Sequence, residues 1–227
     1  MRYVRKELPG VTLNLSTNAG LLTRRRSALI IDEGLLDKIN FDIDGITKET
    51  YERIRLKVNF DKVMDNVLYF TDYRKRVKKS TPETSVTIIR MQPTLDEIDA
   101  FVGFWTPLVD NVLVNDYNTW LGTKENLNTS DTLKKSRNWK FDFACQHPWN
   151  ELVISADGRA GLCCLDYDMK AEVGDLREQS IAEIWRGEKM DHYRHKLMKL
   201  EYGDIEVCRN CNAFLYQYES KWARLQR

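Results

Sequence analysis

The sequence predicts an α/β chain: parallel strands alternating with helices, then a small cysteine-bearing hairpin domain. Three observations predict it. Through the first part of the chain, short stretches of alternating apolar residues trade places with longer stretches of helical period. All five cysteines lie between positions 145 and 211. Between these regions, residues 117–143 are polar, with no helical stripe longer than a turn. The expected division is 1–116, a linker or covering loop over 117–143, and a C-terminal domain over 144–227.

The elements of the first region follow in order. In residues 11–16, Val11, Leu13 and Leu15 oppose Thr12, Asn14 and Ser16, a strand pattern, and TNAG after them reads as a turn. Residues 23–33 read as a helix ending at Gly34, with Arg24, Arg25 and Arg26 as a solvated start. Residues 38–44 alternate again, Ile39, Phe41 and Ile43 against Asn40, Asp42 and Asp44. Thr47 opens a short helix. Val63, Val67, Phe70 and Val77 fall on one face of a helix over 61–79. SVTIIRM is a strand, Thr94 and Glu97 form a capping-box signature for a helix through Leu108, and NVLVND is the last strand. Such alternation predicts parallel pairing with right-handed crossovers.

Parallel strands covered on both faces should be apolar on both. The polar sides carrying Asn14, Ser16, Asp42 and Asp44 leave two readings open. One is a cavity with these groups near its C-terminal rim, where barrel-like α/β enzymes place their chemistry. The other is a solvated sheet face with helix-capping aspartates.

In the C-terminal region, ELVISA and RAGLC read as a hairpin closed by a two-residue turn at Asp157-Gly158. That turn returns Cys163 beside Leu152, near Cys145. The later Cys208-x2-Cys211 knuckle would complete a four-sulfur cage. Thiolates bind zinc or an iron–sulfur cluster. Zinc ribbons pair two such knuckles and this chain has one, so the wide spread suits a larger cluster, but spacing leaves both open. The odd cysteine count and the absence of a signal-peptide pattern argue against a disulfide framework and for a reducing, cytoplasmic setting. Ser180 and Glu183 form a second capping box. Ile181, Ile184 and Trp185, then Met190, Tyr193, Leu197 and Leu200 beyond Gly187, read as core packing. His192 and His195 share a helical face but read as solvated. His147, two residues from Cys145, reads as support for the site. Trp120 and Trp139 read as packing for the covering loop.

Composition excludes some classes. The chain is 42% hydrophobic and 30% charged with a net charge of +1, so no basic excess points to nucleic acid or an anionic membrane. No apolar run approaches the ~20 residues of a membrane-spanning helix.

The cysteine region carries a resemblance. Cys-x12-Gly-x4-Cys, the flanking PW and DG, CC-x-D, VGDL, SIAEIWRG and the closing CRNC resemble the SPASM/twitch extension of radical S-adenosylmethionine enzymes. With four candidate ligands the chain is similar to the smaller, single-cluster twitch form. The resemblance implies one auxiliary 4Fe–4S cluster held by Cys145, Cys163, Cys208 and Cys211, with Cys164 a neighbour that could exchange roles with Cys163. STNAGLLT resembles the third-strand segment of the radical core. FDIDG-x5-Y-x2-IR resembles the fourth, with Asp42 where the family usually has Ser. VTIIRMQ resembles the fifth unit and DNVLVNDYNTW the sixth strand. The implied fold is a partial (β/α) barrel, strands three to six, with Thr17, Asn18, Asp42 and Asp44 on the S-adenosylmethionine side.

The family's catalytic cluster motif, Cys-x3-Cys-x2-Cys, and its Gly-Gly-Glu-Pro segment do not occur in the sequence. The expectation is therefore a truncated or split radical S-adenosylmethionine oxidoreductase or peptide- or protein-modifying enzyme, inactive alone, acting on a peptide or small molecule. S-adenosylmethionine would bind only with the missing part supplied, by a separate N-terminal core chain or after self-association through the first strand. The alternatives are a standalone iron–sulfur electron-transfer or binding module and a zinc-stabilised interaction protein.

Overall fold

The computed structural model describes residues 1–129 and 144–211. Trp139 and most of the expected covering loop lie outside the described residues. The chain divides into two compact units, Met1–Tyr117 and Asn118–Arg227, each treated by itself below.

The first unit is a four-stranded parallel sheet in the order β1 (Asn14–Thr17), β2 (Lys38–Asp42), β3 (Glu83–Arg90), β4 (Asn111–Asp116). The register pairs Ser16 with Asn40, Asn40 with Ser85, and Ser85 with Asn111, so alternate residues of all four strands share a face. A short helix α1 (Arg2–Glu7) precedes the sheet, and α2 (Arg24–Asp32), α3 (Lys48–Ile54), α4 (Phe60–Arg76) and α5 (Ile98–Trp105) fill the crossovers. Helix starts follow local chemistry. The Thr23, Thr47 and Asn59 side chains accept from the backbone N–H groups of Arg26, Thr50 and Lys62.

The apolar face of the sheet makes the core. Ile39, Phe41, Val86 and Ile88 are fully buried against Phe70 of α4 and Trp105 of α5. Phe41 and Phe70 meet edge to face at 5.5 Å. Each buried side chain of this size contributes about 1.5–3 kcal/mol. The strand expected over 11–16 begins later, at Asn14, because the chain before it is held by side chains instead. The Leu13 N–H donates to Asp37 Oδ2 at 2.7 Å, and Arg5 donates to the same carboxylate at 2.8 Å and to the Val11 carbonyl at 3.2 Å.

The expected Thr94–Glu97 capping box does not form. Residues Gln92–Glu97 make a 3₁₀ turn before α5. Thr94 Oγ1 accepts from the Met91 N–H at 3.1 Å and donates back to the Ile89 carbonyl. Glu97 reaches away from its own helix and accepts from the N–H groups of Ile46 at 2.7 Å and Thr47 at 3.2 Å. Two tertiary donors outcompete one local one.

The second unit holds α6 (His147–Asn150), a three-stranded antiparallel sheet of β5 (Val153–Ile154), β6 (Arg159–Gly161) and β7 (Glu172–Asp175), then α7 (Ile181–Trp185) and α8 (Glu188–Met198). The hairpin pairs Val153 with Gly161 and Ile154 with Ala160. Its loop is one residue longer than the Asp157-Gly158 turn predicts. Ser155 N–H donates to Arg159 O at 2.8 Å, and Gly158, at φ +93°, takes the left-handed position that closes a three-residue loop. Extending this register sets Leu152 opposite Leu162, not Cys163. The third strand, β7, was not foreseen. It lies close because Gly174 has no Cβ: one built there would meet Ile184 Cγ1 at 2.6 Å. Ser180 and Glu183 cap α7 reciprocally, as expected.

A buried arginine ties α4 to the starts of β3 and β4. Arg74, from α4, donates to Asp110 Oδ1 at 3.0 Å and to the Pro82 carbonyl at 2.7 Å. Burial raises the Asp110 pKa, but the Arg74 guanidinium and the Thr84 N–H and hydroxyl outweigh it and hold it down at about 2. A depressed folded pKa adds stability above the unfolded value near 3.9, lost as pH falls toward 2. Asp110→Asn is expected to cost about 1 kcal/mol at pH 7, discounted for a carboxylate open to solvent. In denaturant titrations that difference from the parent should shrink between about pH 4 and pH 2.

Candidate iron–sulfur site

The cysteines are brought together by three separate pieces of the second unit. Cys145 precedes α6, Cys163 follows β6, and Cys208 and Cys211 stand on a turn after α8 in which the Cys211 N–H donates to the Cys208 carbonyl at 3.1 Å. Cys145, Cys163, Cys208 and Cys211 all line one pocket. His147, Leu162, Leu197, Tyr202 and Val207 complete much of its wall, so the sulfurs sit in an apolar setting. All five thiols are free of disulfides.

Side chains anchor two of the three pieces, the one with Cys145 and the one with Cys163. Tyr202 Oη accepts from the Cys145 N–H at 2.7 Å. Arg194, on α8, donates to the Pro148 carbonyl at 3.0 Å and 2.9 Å and to the Trp185 carbonyl at 2.8 Å, clamping α6 against α7 and α8. Its guanidinium also lies 4.4 Å from the Trp185 ring centroid. Asp166, nearly fully buried, accepts from the N–H groups of Lys170 at 3.0 Å and Ala171 at 2.7 Å and so shapes the loop after Cys163. The Leu165 N–H points at Cys163 Sγ, 3.5 Å away. Sequence reasoning missed Tyr202 and Arg194. The CC-x-D pattern had contained Asp166 without revealing its task.

The electrostatics explain what the cage asks for. Burial pushes the Cys208 thiol well above its usual range, with the Cys211 and Cys145 sulfurs and Asp166 adding to the shift. Burial likewise raises Tyr202, beside Cys145, Cys208 and Cys211. Neighbouring thiolates in an apolar pocket repel one another, so they ionise together only around positive charge. Around one zinc ion at ~2.3 Å from each sulfur, tetrahedral thiolates sit roughly 3.8 Å apart. Among the described residues, the group with three donors within 4.8 Å of one another is His147, Cys163 and Cys164, not a trio of the four cage cysteines. Four thiolates can surround either one zinc ion or an iron–sulfur cluster.

Cys164 is exposed and hydrogen-bonded to Cys163. His147 Nδ1 is held by the Glu151 carboxylate. His195 Nδ1 bonds the Asp191 carbonyl at 2.8 Å and His192 lies edge-on to Tyr193. Trp120 packs edge to face on Tyr167 at 5.8 Å.

The remaining candidates lie in the first unit. Thr17 Oγ1 and Asn18 Oδ1 accept from the N–H groups of Ala19 and Gly20, both at 3.1 Å, shaping the turn after β1. Asp44 is buried and bound: Arg55 donates to it at 2.8 Å and the Ile89 N–H at 3.2 Å. It stands two residues beyond the end of β2, with its carboxylate taken up by these two donors. Asp42 stays on the sheet's polar face, where Asn40 donates to it at 2.8 Å and Thr87 donates to Asn40 at 2.8 Å. Burial raises the Asp42 pKa, against the pull of Arg55.

Comparison with known proteins bears on both units. Residues 145–212 match the SPASM family model, an iron-sulfur cluster-binding domain. The S-adenosyl-L-methionine-dependent 2-deoxy-scyllo-inosamine dehydrogenase of Niallia circulans is 30% identical over 83 residues, which cover 37% of this chain and 33% of that protein. The structure of native anSMEcpe with bound AdoMet superimposes with a TM-score of 0.58 at 14% identity, over 92% of this chain and 68% of that one. BtrN in complex with AdoMet and 2-DOIA gives 0.50 at 16% identity, over 92% and 63%. The chain thus spans only a third of that dehydrogenase's length. An uncharacterized protein of Treponema pallidum (strain Nichols) is 23% identical over 177 residues, 46% of its length. Residues 145–212 thus resemble an iron-sulfur cluster-binding domain, and the chain shares its α/β fold with these AdoMet-bound structures.

Proposed function

We propose that Cys145, Cys163, Cys208 and Cys211 hold a single 4Fe–4S cluster of the twitch type, and that these residues are the auxiliary-cluster portion of a radical S-adenosylmethionine oxidoreductase or peptide- or protein-modifying enzyme. The observation that carries the reading is the convergence of four thiols from three chain segments on one apolar pocket. When bound, such a cluster supplies one-electron redox chemistry. The protein's part is to hold it. Tyr202 fixes the Cys145 backbone, Arg194 fixes α6, Asp166 fixes the loop beyond Cys163, and Leu162, Leu197 and Val207 keep water away. The polar sheet face with Asn40, Asp42 and Thr87 offers hydrogen bonds to a polar substrate or to S-adenosylmethionine. The dehydrogenase relative acts on an aminocyclitol, which supports a hydroxyl-bearing small molecule as the substrate class.

Anaerobic reconstitution with iron and sulfide is expected to give four irons per chain and broad sulfur-to-iron absorbance. Cys208→Ala or Cys211→Ala should abolish both, while Cys164→Ala keeps them. Colourless protein with stoichiometric zinc after the same treatment, the zinc being lost in Cys145→Ala and Cys208→Ala, would favour the zinc-stabilised reading.

These 227 residues contain no Cys-x3-Cys-x2-Cys motif. The polypeptide by itself is expected to form no 5′-deoxyadenosine from S-adenosylmethionine, even with a strong reductant. Turnover above background would overturn that.

Within the described residues β1 is an edge strand. We propose that a further strand, from an N-terminal core piece or a second copy, adds there. The amides of β1 that point away from β2 should exchange fast in dilute monomer and slow on association. Strong protection in a persistent monomer would refute the edge reading.

A further inference from the structure

A compact donor set sits at one corner of the cage and shares a sulfur with it. One donor atom each of His147, Cys163 and Cys164 lies within 4.8 Å of the other two. That is close to the spacing one ion imposes: metal–sulfur bonds of ~2.3 Å and metal–nitrogen bonds of ~2.0–2.1 Å bring the donors of a tetrahedral site to roughly 3.5–3.8 Å from each other. The Glu151 carboxylate binds His147 Nδ1, which fixes the tautomer and leaves the Nε2 lone pair for a metal. Glu151 also reaches the Cys164 thiol. Cys164 is exposed, so it adds no packing and opens the corner to ions from solvent.

We propose that His147, Cys163 and Cys164 form a single-ion site for a thiophilic divalent cation, of which zinc is the common case, and that its occupation excludes the cluster because Cys163 serves both. Binding would release the two thiol protons to solvent and leave the fourth tetrahedral position to water or to Glu151. The exclusion, though not the ion site, rests on the cluster reading given above. The site would act as a check on assembly: zinc at this corner removes one of the four cage sulfurs.

Cobalt(II) is the probe, added to the iron-free, reduced protein under anaerobic conditions and followed by thiolate-to-cobalt charge-transfer absorbance. One stoichiometric site is expected. Cys164→Ala and His147→Ala should lose it, and Glu151→Gln should weaken it by about tenfold. Cys145→Ala and Cys208→Ala should keep it. In the second arm, zinc-loaded protein should take up no cluster until zinc is chelated, whereas Cys164→Ala should assemble its cluster with zinc present. Loss of the cobalt band in Cys145→Ala or Cys208→Ala, with retention in Cys164→Ala, would put the ion in the four-cysteine cage and overturn the proposal. So would the absence of cobalt binding. If zinc-free protein builds no cluster yet shows Cys164-dependent cobalt binding, the cluster reading falls and the ion site stands.

Discussion

Sulfur that must be charged to bind metal, set where charge is unwelcome, is the constraint on which the second unit depends. Burial favours the neutral thiol, and each neighbouring sulfur disfavours the next one's ionisation. The pocket is therefore least favourable to ionised thiols when empty and best matched when it surrounds positive charge. Its arms accordingly do not rely on the sulfurs for their position. Tyr202 and Arg194 fix the Cys145 arm and Asp166 the Cys163 arm through backbone hydrogen bonds that need no metal. The apolar group of Leu162, Ile184, Met190 and Leu197 supplies a small core beneath them.

The first unit has the opposite economy. One sheet face is sealed by helices and by fully buried Phe41, Phe70 and Trp105, while the other carries Asn40, Asp42 and Thr87 bonded to one another. A polar network satisfied within the sheet tolerates partial burial without loss. It also presents a surface whose donors and acceptors are already oriented, which limits the entropy a polar ligand must surrender.

What could be read from the sequence was local. Thr23, Thr47 and the Ser180–Glu183 pair announced their helices because the capping partner is three residues away. The five cysteines announced a metal-binding domain by clustering in a chain that otherwise lacks them. What could not be read was long-range. Glu97 resembled a cap, but its partners are about fifty positions earlier. Tyr202 looked like an ordinary aromatic until the fold set it against the Cys145 amide, and no local pattern paired Asp44 with Arg55 and the Ile89 N–H. The strand β7 is too short to carry an alternation pattern, and its place is set by Gly174 against Ile184.

The three-residue loop of the β5–β6 hairpin has a consequence for how this domain can vary. Side chains along a strand alternate between faces, so a one-residue slip in the pairing of β6 with β5 would turn every β6 side chain over. A residue added between Ser155 and Arg159 need cause no such slip, because the loop can take it up while Val153 stays opposite Gly161. The tip of the hairpin can therefore change length without moving Cys163, which follows just beyond the end of β6. What Cys163 cannot tolerate is a deletion within Arg159–Gly161, which would shorten the strand that delivers it to the pocket.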